Sequence, residues 1–117
     1  MDVSAAQLER ARRNVPGAKF IHGDVTELDF AEPFAATAAL YVMDHLPREQ
    51  HTAIFARFLR WLEPGGHLLF SVEPEAQAGH VREWLGQPLF FSQYDAARST
   101  LELVGETGFA VLETVTR

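Results

Sequence analysis

The chain has no cysteine, a single lysine (Lys19) and no apolar run near the ~20 residues that a membrane-spanning helix needs. The first absence excludes a disulfide framework, a thiolate nucleophile and a cysteine-ligated zinc or iron–sulfur centre. Positive charge is also scarce: 10 Lys and Arg face 16 Asp and Glu, for a net charge of −6. Tracking a phosphate backbone needs clustered cations, so broad nucleic-acid binding is excluded and a small molecule or a protein becomes the expected partner. The opening Met1-Asp2-Val3-Ser4 has neither the basic start nor the apolar stretch of a secretory signal, so no membrane partner is expected and a cytoplasmic location is the default. His22, His51, His67 and His80 show no metal-ligand spacing with carboxylates. They are read as ordinary strand or surface residues, and no metal is expected. Phosphate-binding P-loops, G-x-S-x-G elbows and G-x-G fingerprints are missing as well.

What is present fits one domain over residues 1–117, since 117 residues with 47% hydrophobic and 22% charged side chains support one modest core. Ser4 followed by Gln7 has capping-box spacing and predicts a helix over 4–14, stopped by Pro16-Gly17. Lys19 to His22 reads as a short strand opening into a turn-rich segment through Pro33. Residues 36–43 form a nearly continuous apolar run, the pattern of a central strand covered on both faces. Ile54, Phe55, Phe58, Trp61 and Leu62 recur at helical spacing and predict a helix over 48–62, ended by Pro64-Gly65-Gly66. His67 to Val72 is a second buried strand, and strand, helix, strand in this order implies a right-handed parallel crossover. A short amphipathic segment around Val81, Trp84 and Leu85 and an extended aromatic stretch over 88–94 follow. Asp95 is placed to cap a helix running to 107, and Phe109 to Val115 alternates as a strand. The class is α/β with a mostly parallel sheet and flanking helices.

Parallel sheets of this class bind ligands beyond the carboxyl ends of their strands, which directs attention to Gly23-Asp24, to Tyr41 through His45, and to Glu73. The Asp24 carboxylate can accept hydrogen bonds from an amine or hydroxyls while Gly23 lets a flat ring approach the backbone. The same pair also reads as a turn in which Asp24 caps its own backbone. His45, at the entry to the 48–62 helix, is either a neutral general base or an imidazole bonding backbone groups. Trp84, Phe90, Phe91 and Tyr94 either wall a pocket or belong to the core.

Four segments in register carry a resemblance: Asp2-Val3-Ser4 before a helix, Gly23-Asp24-Val25, Tyr41-Val-Met-Asp-His45-Leu-Pro47, and Trp61-Leu-Glu-Pro-Gly-Gly-His-Leu-Leu-Phe70. Their order and spacing are similar to those of the class I, Rossmann-like S-adenosylmethionine-dependent methyltransferases. Trp84-Leu-Gly-x-Pro-x-Phe-x-Ser92 and Glu106-Thr-Gly-Phe109 extend the likeness, resembling a bacterial small-molecule branch of that superfamily. The resemblance implies S-adenosyl-L-methionine as cofactor and a small-molecule methyl acceptor. It also implies that Asp2, with Val3 beside it, holds the ribose hydroxyls, that Asp24 contacts the adenine amino group with Gly23 and Val25 near the ring, and that Leu40 lines the methionine end. Tyr41 would face the sulfonium and His45 would serve as a base or orient the acceptor. The family's first strand and glycine-rich cofactor loop precede the matched region, so an N-terminally truncated fold is expected, incomplete beside the seven-stranded family sheet. The alternative is a methyltransferase-like interaction module whose open sheet edge is covered by a second copy in a homo-oligomer.

Overall fold

Ser4 begins the first helix as its spacing with Gln7 predicts. In the computed structural model, which describes residues 1–116, its Oγ accepts the Gln7 amide at 3.3 Å and α1 runs Ala5–Asn14. The reciprocal half of the capping box is supplied by Asp2, whose Oδ1 accepts the Ser4 amide at 2.8 Å. Arg12 and Arg13 lie in the last turn, where cations complement the helix dipole.

The chain divides into two compact units, Met1–Ala31 and residues 32 onward. In the first, the strand expected over 19–22 is reduced to a single parallel bridge between Asp2 and His22. Asp2 N–H donates to the Ile21 carbonyl at 3.2 Å, and Gly23 N–H donates to the Asp2 carbonyl at 3.0 Å. Beyond the bridge the ladder stops because α1 starts three residues after Asp2, leaving no extended chain for the residues that follow His22 to pair with.

In the second unit, β1 (Phe34–Ala39) pairs in parallel with β2 (Leu62–Phe70) through α2 (His51–Trp61). α2 buries Ile54, Phe55, Phe58 and Trp61, the positions read from the sequence, and Leu62 is buried just beyond it. Phe55 meets Phe70 of β2 edge-on at 4.9 Å between ring centroids and Phe58 at 6.1 Å, an aromatic arrangement that adds to burial alone. The first turn of the predicted helix is 3₁₀, over Arg48–Gln50. Leu62 pairs with Phe34 and the ladder resumes at His67 with Ala36, so residues 63–66 loop out between the two pairs. Gly65 takes φ +79° in that loop.

Three expectations for this unit are corrected. The central strand ends at Ala39 rather than 43, because Tyr41 adopts φ 56° and Met43–His45 turns into a 3₁₀ helix. Its cover is also incomplete: in a two-stranded sheet only Ala39 of β1 is buried. The aromatic stretch is extended as expected, and it pairs with the amphipathic segment as an antiparallel hairpin, β3 (Gln77–Trp84) and β4 (Gln87–Gln93), beside the parallel β1–β2 pair. Leu85 and Gly86 join them with φ 50° and 81°, the sign pattern of a type I′ turn. Phe109 to Val115 forms no strand, since alternation provides a side-chain pattern but no ladder partner, and Val111, Leu112 and Val115 stay exposed.

α3 (Ser99–Thr107) follows a turn that Asp95 organises, its Oδ1 accepting the Arg98 and Ser99 amides at 2.9 and 3.2 Å. The helix therefore begins three residues later than the capping position suggested. No helix among the described residues is long and apolar enough to cross a membrane.

Candidate functional site

The bridge in the first unit sets the residues expected at the nucleoside end. Asp2 lies beside His22, Gly23 hydrogen-bonds to Asp2, and Asp24 follows. His22 Nε2 donates to the Val3 carbonyl at 2.8 Å, which ties the two segments together a second time. Val3 is 65% exposed, whereas Val25 is buried. Asp24 Oδ1 accepts both the Thr26 hydroxyl at 2.7 Å and the Thr26 amide at 2.8 Å. The hydroxyl bond first and the amide bond second hold the Asp24 carboxyl below its ordinary range, so it is a fixed anion. The turn in which Asp24 caps its own backbone is thus real, and it leaves Oδ2 for a ligand. Asp2 repeats the arrangement, with Oδ1 committed to Ser4. The room beside Gly23 is occupied differently from the reading that a ring approaches there: a Cβ would stand 2.8 Å from a methyl group of Leu28.

In the second unit the tips of β1 and β2 come together. Tyr41 N–H donates to Ser71 Oγ at 2.8 Å, which holds Tyr41 in its left-handed conformation with the side chain 75% exposed. Such a conformation is costly for a bulky residue and persists only where neighbours enforce it. Leu40 beside it is half exposed. His45 Nδ1 lies 2.9 Å from the Phe90 carbonyl. A carbonyl only accepts, so Nδ1 carries the proton and the neutral ring keeps its lone pair on Nε2. The ring also packs edge-on to Phe91, at 5.0 Å between centroids. His45 therefore bonds the backbone, as one reading proposed, in the orientation that leaves the other reading, a base, chemically open.

Asp44 was not singled out by the sequence, yet it is buried beside His45 at this tip, with Oδ1 lacking any hydrogen-bond partner. Burial pushes its carboxyl up; the charge of His45 acts against that and the charge of Glu73 adds to it. His51, read as a surface residue, is likewise buried at the start of α2, with Nε2 bonded to the Leu46 carbonyl at 3.1 Å. Of the aromatic cluster, Phe91 is buried, Phe90 and Tyr94 are half-buried and Trp84 is exposed. Among the described residues no group of three or more His, Asp or Glu gathers to hold a metal.

The model of a methyltransferase domain family matches residues 1–66. The chain belongs to that family. It is a member of the Rossmann-like, S-adenosylmethionine-dependent methyltransferases that its motifs resemble, with an α/β fold in keeping with theirs. It is 31% identical over 105 residues to a trans-aconitate 2-methyltransferase of Methylobacterium nodulans, covering 86% of this chain and 39% of that protein. Over 76 residues it is 34% identical to a malonyl-[acyl-carrier protein] O-methyltransferase of Halalkalibacterium halodurans, covering 61% of this chain and 28% of the relative. The chain thus spans less than half the length of these curated relatives. Among solved structures, a DhpI–SAH complex superposes with a TM-score of 0.70 at 16% identity, covering 90% of this chain and 53% of that one. The glycopeptide N-methyltransferase MtfA superposes with a TM-score of 0.63 at 14% identity, covering 94% and 62%. Both show the fold alone.

Proposed function

We propose that this chain carries nucleoside-holding and methyl-transferring residues of a methyltransferase acting on a small organic acceptor. The observation that carries the reading is the pair of loop-fixed carboxylates, Asp2 and Asp24, on segments joined by the Asp2–His22 bridge, each with one oxygen committed to its own turn. That pair of acceptors suits a nucleoside, whose ribose hydroxyls and adenine amino group all donate. S-adenosylmethionine, when bound, supplies a sulfonium methyl group open to in-line displacement. In this reading Asp2 and Val3 meet the ribose, and Asp24 and Val25 meet the base. Leu40 lines the methionine end, Tyr41 offers its ring to the sulfonium, and His45 Nε2 takes a proton from an acceptor that must lose one. Relatives named for trans-aconitate and for a malonyl group carried on a protein support an organic acceptor of modest size.

Titration calorimetry with S-adenosylmethionine tests the proposal. Replacing Asp24→Ala removes a charge-assisted hydrogen bond worth ~1.5–3 kcal/mol and is expected to weaken binding at least about tenfold. Unchanged affinity in the variant, or no binding by the parent chain, would overturn the assignment.

A further inference from the structure

Beyond the β2 tip, a cleft of about 290 Å³ opens between the loop after Phe70 and the β3–β4 hairpin, lined by Glu73, Glu75, Gln77, Arg82, Phe91 and Gln93. Its wall contains a fully buried amide. Gln93 Nε2 donates to the Glu75 carbonyl at 2.8 Å, and because that carbonyl cannot donate, the orientation of the amide is fixed. Gln93 Oε1 is left buried with no hydrogen-bond partner, although Gln93 is 0% exposed. A buried acceptor of this kind costs stability unless something donates to it.

The rest of the lining is of two signs. Glu73 and Glu75 add carboxylates on the loop that Gln93 holds in place. Opposing them, the Arg82 guanidinium carbon sits 4.0 Å above the centroid of the Phe91 ring. Stacking fixes the plane of the guanidinium and leaves its N–H edges free to meet an anion. Arg82 forms no salt bridge among the described residues.

We propose that this cleft is a binding site for a small zwitterion, an ammonium compound with one acidic group. Its N–H groups donate to Gln93 Oε1 with Glu73 or Glu75 balancing the charge, and its acid pairs with Arg82. An amino acid is of suitable size, the cleft lying at the small end of the range for ligand pockets. The inference rests on the methyltransferase reading only in taking this compound to be the methyl acceptor; the zwitterion site itself stands on the cleft.

Three isosteric probes separate the elements of recognition: phenylalanine, phenethylamine without the carboxylate, and 3-phenylpropionate without the ammonium group. Calorimetric titration of the 117-residue chain is expected to rank phenylalanine first, with each truncated probe at least about tenfold weaker. Gln93→Met, which keeps the length of the side chain and removes the acceptor together with the Nε2 donor to Glu75, is expected to lower phenylalanine binding at least about fivefold with an unaltered circular dichroism spectrum. Arg82→Gln is expected to abolish the preference for phenylalanine over phenethylamine. Preference for 3-phenylpropionate, binding of none of the three, or indifference to both substitutions overturns the proposal. A parallel titration with S-adenosylmethionine keeps the two ideas apart: lost cofactor binding with probe binding retained removes the acceptor role alone, and the reverse removes the zwitterion site alone.

Discussion

His51 and Asp44 are buried within a few residues of each other and resist ionisation for the same reason, yet they bias stability toward opposite ends of the pH scale. Burial lowers the pKa of His51 from its ordinary 6.5, against weaker opposing effects from the Leu46 and Met43 carbonyls and from Asp44 and Glu49. A depressed histidine contributes stability that is present above its unfolded pKa and lost as pH falls through its folded one. Burial raises Asp44 from 3.8, so its contribution is complete below that value and fades as pH rises through its folded pKa. Thermal melts between pH 4 and 8 are expected to show His51→Gln flattening the loss of stability on acidification below pH ~6.5. Asp44→Asn is expected to raise stability at pH 7 by on the order of 1 kcal/mol, since it removes a buried charge whose Oδ1 has no partner. A less stable Asp44→Asn protein at pH 7 would show that favourable contacts hold the charge. His45 gives a third residue-level prediction: ¹⁵N spectra of the neutral imidazole should place the proton on Nδ1, as its bond to the Phe90 carbonyl demands, and an Nε2-protonated ring would exclude the base role.

Within the elements, the joint between α2 and β2 is set by one glycine. A Cβ on Gly66 would lie 2.9 Å from the Glu63 carbonyl oxygen and 3.1 Å from that of Ala35, so backbone rather than a flexible side chain would have to move. Gly66→Ala is expected to cost about 2 kcal/mol in urea denaturation. Gly65→Ala, with open space around it but φ +79°, should cost only the left-handed penalty of about 1 kcal/mol. Equal losses would mean that the loop over 63–66 relaxes freely. This joint also shows what could be read in the chain beforehand. The period of Ile54, Phe55, Phe58 and Trp61 identified α2 because one helix face meets the core, and Pro64-Gly65-Gly66 announced the turn. The β3–β4 hairpin escaped because Leu85 occupies a left-handed turn position that Asn or Gly usually fills, so only Gly86 signalled it. At the candidate site, Asp24 and His45 were legible from their places after apolar runs. Asp44 and Gln93 were not: their importance comes from unpartnered buried oxygens, and burial of a polar side chain is a property of the packed chain.

Over the whole molecule, buried apolar side chains are distributed unevenly between the two units. Among the described residues, Leu8 and Val25 are the buried hydrophobic residues of the first, whereas the second contains nine, four of them on α2. The first unit has one isolated bridge where the second has two paired sheets. A ten-residue helix with a single buried residue is close to the margin at which isolated helices form, so α1 depends on few contacts to stay closed. Local opening should therefore expose α1 at a lower free energy than α2. Native-state hydrogen exchange is expected to show amides over Leu8–Asn14 protected at least about tenfold less than those over Phe55–Trp61, a gap that S-adenosylmethionine narrows if Asp2 and Asp24 hold it, because ligand binding to the closed form stabilises only that form. Equal protection in the free protein would mean that the two units open in one cooperative step, and the chain would then behave as the single domain its length and composition suggest.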